Sequence, residues 1–219
     1  AILGNLAVSE RALGELDIAD THQREALSMT LALSGESHFQ SGVSRASLAM
    51  LLSEKGDLQA ARREFETALQ VIEAKVGPEH PDMALWRAAY ADVLFDLGEV
   101  EAARDNADTA RRISEQTLNV ADPRRGRIGL SQLRMRVLQA DCSDVETEAA
   151  SIGEQLARGG GAMRADRASL ALLQAECARV TRASPDPFLQ TASQELEQLD
   201  YPPRRLRLLR QRWPGRFAQ

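Results

Sequence analysis

Residues 53–70 read SEKGDLQAARREFETALQ, one helical pattern closed by Gly56 and a second opened at once by Asp57. A glycine after a periodic segment takes the left-handed conformation that ends a helix. An acid just beyond it caps the next helix and suits its dipole. The same punctuation stands 42 residues upstream in RALGELDIADTHQREAL and 42 residues downstream in FDLGEVEAARDNADTAR. Gly14, Gly56 and Gly98 keep that period, as do Ala7, Ala49 and Ala91. So do Ala19, Ala61 and Ala103, and again Ala26, Ala68 and Ala110. Gly35 and His38 recur as Gly77 and His80, and Pro81 as Pro123. One spacing kept by several classes of small residue marks an internal repeat.

Each unit reads as two antiparallel helices. The first ends at the turn glycine, and the second runs to LSGESHF, VGPEHPD or LNVADPR, whose Gly, Asn and Pro are stop signals. The recurring alanines are expected where the two backbones approach closely, with Leu48, Tyr90 and Phe65 filling the gaps beside them. A single hairpin cannot bury both faces, so the units must stack as a solenoid. Composition agrees: 43% apolar, 27% charged and only 4% aromatic residues, with Ala, Leu, Glu, Arg and Gln that favour helices.

These residues resemble the tetratricopeptide repeat. Leu6-Ala7, Leu48-Ala49 and Tyr90-Ala91 match its large–small pair, Gly14, Gly56 and Gly98 its turn, and the two alanine series with Phe65 its second helix. The long period and the GPEHP connection are similar to the kinesin-light-chain class and to bacterial regulatory arrays. HEAT-type repeats share the period but not this set of Gly and Ala positions. The resemblance implies an all-α, right-handed α-solenoid. Repeats are expected at about 1–42, 43–84 and 85–126, then divergent ones at 127–168 and 169–200, with a basic capping helix over 201–219. In the fourth unit Leu133 and Ile152 replace the expected alanines and Ala140 holds the glycine slot. In the fifth, Ala175 keeps the small position and Arg182 the glycine slot.

Candidate chemistry is sparse. His38 and His80 are repeat-equivalent, which argues for a turn role, and His22 has no acid or cysteine at ligand spacing. RGGGAMR (158–164) lies between helices and lacks the Lys-Ser/Thr of a phosphate-binding loop. Asp141, Asp144, Glu146 and Glu148 are expected as a solvated helix start. Cys142 and Cys177 form no CxxC pair and lie in helical patterns. Buried reduced thiols are the favoured reading, over a disulfide or a metal site. No catalytic, cofactor-binding or metal-binding residue is therefore expected, and the chain is expected not to be an enzyme.

Charge is uneven. Residues 201–219 carry six arginines and no acid, leaving 21 basic against 32 acidic residues in 1–200. In the tail, Leu206, Leu209 and Trp213 share a stripe. A cap closing the last repeat is expected, with an anionic partner as the alternative. The acidic body disfavours nucleic acid as the main partner, and no apolar run spans a bilayer.

In such arrays the resemblance places ligand contacts on the first helices, which line a concave groove. Asn5, Val8 and Arg11 stand there in the first unit, Ser47, Met50 and Ser53 in the second. Asp92 and Phe95 follow in the third and Arg134 in the fourth, with Met50 and Phe95 as anchors. The competing reading packs these side chains beneath neighbouring repeats. Asn5 matches the asparagine that holds a peptide backbone in kinesin-light-chain-like repeats, but Ser47, Ala89 and Ser131 depart from it, and no carboxylate clamp is present. The expectation is a scaffold binding a protein or peptide, cytoplasmic, within a larger bacterial signalling protein, since no initiator Met or signal core opens the chain. Self-association into a homo-oligomer is the alternative. Attachment to a Ser/Thr kinase domain is a further implication of the resemblance.

Overall fold

The computed structural model describes residues 2–217. It contains α1 (Ile2–Leu13), α2 (Leu16–Ser34), α3 (Phe39–Lys55), α4 (Leu58–Val76), α5 (Pro81–Asp96) and α6 (Val100–Thr117). These are followed by α7 (Pro123–Leu138), α8 (Val145–Arg158), a short 3-10 turn (Gly160–Met163), α9 (Arg164–Val180), α10 (Asp186–Leu196) and α11 (Arg204–Gln211). No strand occurs among the described residues. Consecutive helices pack in pairs, as a stacked array of hairpins requires. The chain forms two compact units, Ala1–Thr117 with α1–α6 and Leu118–Gln219 with α7–α11.

The turn inside each hairpin follows from one residue. Gly14, Gly56 and Gly98 have φ of +83°, +89° and +83°. Ala140 and Arg182, which hold the same slot later in the chain, adopt +63° and +62°. In all five turns the next amide reaches back to a carbonyl five residues earlier. These bonds run from Glu15 to Glu10, Asp57 to Leu52, Glu99 to Leu94, Asp141 to Arg136 and Ala183 to Ala178, at 2.8–3.0 Å. That is the Schellman closure. Loss of glycine at 140 and 182 therefore left the turn intact, at a backbone cost of about 1–2 kcal/mol each.

Between hairpins the chain is capped by a second periodic position. Nδ1 of His38 accepts from the Gln40 amide at 3.2 Å, and Nδ1 of His80 from Asp82 at 3.2 Å. One period on, Oδ1 of Asp122 accepts from Arg124 at 2.9 Å. The paired histidines are helix caps, as their repetition indicated.

Close approach uses four series of small residues, each spaced by 42. Ala7, Ala49 and Ala91 are buried with Ala19, Ala61, Ala103, Ala68 and Ala110, while Ala26 is only half-buried. The row at Gly42, Ala84, Gly126 and Ala168, also spaced by 42, was not anticipated. A Cβ on Gly42 would lie 2.7 Å from Cγ1 of Ile72 and 3.3 Å from the Ala68 carbonyl oxygen. One on Gly126 would meet Cβ of Gln155 at 3.0 Å. In the fourth hairpin, where Leu133 and Ile152 are too large to replace alanine, α7 and α8 still close through this row. Phe65 is fully buried in the first unit, its ring centroid 5.8 Å from that of Tyr90.

The second unit buries Leu133, Leu156, Leu172 and Leu173 in its core, and α11 packs on α9, adding Leu206, Leu209 and Trp213. Leu208, off that stripe, is 42% exposed. The tail arginines meet groups of the same unit: Arg212 reaches Glu176 at 2.6 Å, Arg216 pairs with Asp186, and Arg207 stacks over Tyr201.

Three expectations are corrected. Cys142 and Cys177 form a disulfide, because Cys142 sits in the α7–α8 turn against α9. Asp141 and Glu148 are not merely solvated. Arg136 binds them at 3.1 and 2.6 Å and also the Ser143 carbonyl oxygen. The Arg136 guanidinium and the Ser143 amide pull the Asp141 carboxyl down to about 2. His22 does have an acid beside it, the buried Glu10, at 2.8 Å from Nδ1. The sequence separation across the α1–α2 turn hid that pair.

Candidate functional site

On α1, Ala7, Val8 and Arg11 fall within one helical turn of each other, as do Ser47, Met50 and Leu51 on α3. Together with Gln23 of α2 and Trp86 of α5 they line a cleft of about 210 Å³ in the first unit. The buried Ala7 and Leu51 form its floor. Val8 is half exposed, and Met50 and Trp86 are partly buried at its sides.

The cleft's neutral polar groups are already engaged. Gln23, 3% exposed, donates from Nε2 to the Ser44 carbonyl at 3.0 Å. Ser47 donates its hydroxyl to the Val43 carbonyl at 3.0 Å. The chemistry left facing outward is thus mainly apolar, with the thioether of Met50 and the indole of Trp86 suited to an apolar or aromatic group.

Four of the nine expected groove residues come together here: Val8, Arg11, Ser47 and Met50. Asn5 is exposed on α1 outside the cleft lining, and Ser53 is buried at 5% exposure. Asp92 and Phe95 are half-buried on α5 and do not line the cleft. Arg134 is 8% exposed within α7, in the second unit. Trp86 escaped the sequence reading. It stands one turn before Ala89, the third-unit equivalent of Asn5 and Ser47, so extending that register backwards by three residues finds it.

The frame carrying the cleft is clipped by repeat-equivalent pairs. Arg45 reaches Glu64 at 3.0 Å, and one period on Arg87 reaches Asn106 at 3.1 Å. Arg87 also holds Glu73 at 2.8 Å. Lys55 joins Asp17 and Asp20 at 2.9 and 2.8 Å, fastening α3 to α2. Burial raises the Asp20 carboxyl, but hydrogen bonds from Lys55 and Arg24 more than offset it and hold the group below the usual range. Another pair of periodic positions changes its chemistry along the chain. Position 10 and its equivalents carry Glu10, Leu52, Leu94 and Arg136, and position 22 and its equivalents carry His22, Glu64, Asn106 and Glu148. The two apolar copies, Leu52 and Leu94, are core residues, while Nδ1 of His22 lies at hydrogen-bond distance from Glu10, 2.8 Å, and Arg136 is salt-bridged to Glu148.

Among the described residues no cluster of three His, Cys, Asp or Glu side chains is placed to hold a metal ion. No helix among them is long and apolar enough to cross a membrane.

The chain matches the tetratricopeptide repeat family model twice, over residues 1–74 and 43–116. No curated protein matches it. Among solved structures it is similar to a putative kinesin light chain of Podosopora anserina with nearly identical TPR-like repeats. That likeness has 18% identity and a TM-score of 0.61, covering 97% of this chain and 95% of that one. It is also similar to BtubC (BKLC) from P. vanneervenii, with 17% identity and a TM-score of 0.60 over 99% of this chain and 82% of that one. At these identities the likeness speaks for the fold. With the period, the five shared turns and the family match in agreement, this chain belongs to the tetratricopeptide repeat family.

Proposed function

We propose that the cleft between α1, α3 and α5 receives a segment of another protein, and that the chain is a non-catalytic interaction scaffold. The setting we propose is the cytoplasm, within a larger bacterial regulatory protein. The observation carrying this reading is the cleft itself, about 210 Å³ with a mainly apolar open lining on clipped helices. A surface already ordered before binding loses little entropy when a helix or extended segment docks. Because Gln23 and Ser47 are committed internally, recognition rests on an apolar side chain of the partner inserted beside Met50 and Trp86. Family membership supports a protein partner, since tetratricopeptide arrays generally serve as interaction scaffolds.

The test uses the full chain and a displayed random-peptide library, followed by fluorescence anisotropy with an enriched peptide. Met50→Glu and Trp86→Ala should each weaken binding about tenfold or more, equivalent to roughly 1.4 kcal/mol, with helicity unchanged. Equal affinity for wild type and both variants would remove the cleft as the site.

Self-association is the second reading, favoured by one feature. Ile2, Leu6 and Leu13 on α1 and Ile18, Met29 and Leu33 on α2 are 41–84% exposed, and apolar surface on the first hairpin is what a second copy would cover. Light scattering over a dilution series decides it: a monomer at every concentration excludes it.

A further inference from the structure

The second unit contains a feature that the scaffold reading does not use. Cys142 lies in the turn between α7 and α8, half-buried, between the exposed Asp141 and Ser143. Its disulfide partner Cys177 is 5% exposed on α9. The bond therefore ties a surface turn to a core helix.

That turn is conformationally costly. Ala140 and Asp144 both take the left-handed region, at φ of +63° and +54°, which L side chains adopt at a penalty. Beside Cys177, Glu176 binds Arg179 and Arg212 at 2.6 Å each. Arg212 precedes Trp213, whose ring lies in the core of this unit. Residues 176–177 thus fasten the α7–α8 turn on one side and the terminal segment on the other.

We propose that Cys142–Cys177 is a reversible redox clasp, opened by a dithiol reductant of the thioredoxin class, which loosens α8 and α11 on α9 and leaves the first unit folded. A reductant thiolate attacks Sγ of Cys142, the sulfur nearer the surface. The S–S bond breaks and Cys177 leaves as a thiolate that takes up a proton. The reductant's second thiol then displaces Cys142, so two protein thiols form and the reductant becomes a disulfide. Glutathione disulfide drives the reverse reaction. Once the bond opens, Asp144, two residues beyond Cys142, is free to leave its left-handed conformation. Thiol pools of a reducing compartment keep accessible disulfides open, so the state of the second unit follows the surrounding redox poise.

The experiment treats the full chain with dithiothreitol in native buffer, alkylates and weighs it, and follows amide hydrogen exchange by peptide. Both cysteines should be protected from alkylation beforehand and both alkylated afterwards, without denaturant. Exchange over 139–158 and 174–211 should then quicken about tenfold or more, while 58–117 stays unchanged. Glutathione disulfide should restore the slow pattern. Cys142→Ser combined with Cys177→Ser should show the fast pattern without reductant, and the wild-type arm decides if that variant does not fold. Free thiols before reduction, a bond that opens only in denaturant, or unchanged exchange after opening would each overturn the clasp.

Discussion

The five equivalent turns allow a paired test of why glycine recurs. At Gly98, φ is +83° and no heavy atom lies within 4 Å of an added Cβ. Gly98→Ala therefore changes the backbone term and no packing. Alanine in the left-handed region costs about 1–2 kcal/mol, and its stiffer unfolded chain returns about 0.4–1. The net is a loss of roughly 0.5–1 kcal/mol. Ala140 already occupies the same conformation at φ +63°, so Ala140→Gly reverses the sign and gains about the same amount. Urea unfolding followed separately in each unit gives the measurement. The chain has two tryptophans, Trp86 in the first unit and Trp213 in the second. Trp213→Phe isolates the first signal and Trp86→Phe the second. The Trp86 transition should move to lower urea with Gly98→Ala, and the Trp213 transition to higher urea with Ala140→Gly. A stabilising Gly98→Ala or a destabilising Ala140→Gly would refute the account of the turn.

Acid should act through carboxylates held low in the folded state. Asp141 is depressed to about 2, chiefly by its hydrogen bond from Arg136. Asp122 is lowered by Arg124, and in Glu176 the bonds from Arg179 and Arg212 outweigh the raising effect of burial. Their stability is complete above the unfolded values near 4 and is lost as pH falls through the folded ones. The Trp213 unfolding midpoint should be flat from about pH 7 to 5 and fall below about 4; a rise on acidification contradicts the pairing. Phe65→Ala removes a fully buried ring that faces Tyr90 and should lower the stability of the first unit by about 3–5 kcal/mol. A loss below 1 kcal/mol in calorimetry would show that Phe65 does not anchor the core. Gly42→Leu, whose Cβ would lie 2.7 Å from Ile72, should destabilise the first unit by about 1–3 kcal/mol. An unchanged melting temperature would mean that α3 and α4 have room to spare.

The first unit was legible because glycine and alanine recur at positions where backbone conformation and interhelical distance permit little else. Three copies of Gly14 and Ala7 locate turns and contacts together. The second unit was less legible because those constraints are met by other means. Ala140 and Arg182 accept left-handed strain, and Gly126 supplies the close approach of α7 and α8 that Leu133 and Ile152 cannot. The row at Gly42, Ala84, Gly126 and Ala168 was present in the sequence, but its alternation of Gly and Ala did not stand out against helices rich in alanine. Nothing in a 35-residue separation reports that Cys142 meets Cys177. In the candidate site, helical register found Val8, Arg11, Ser47 and Met50. It could not separate the facing Met50 from the buried Ser53, because both lie on the same stretch of α3.

The claim that the first-helix face is the binding surface is tested most directly by site-specific photo-crosslinking. p-Benzoylphenylalanine placed at Met50, inside the cleft, is compared with the same group at Thr67, exposed on α4 outside the cleft lining. With a peptide enriched on the full chain, position 50 should form the adduct and position 67 should not. An adduct at 67 with none at 50 would contradict the assignment.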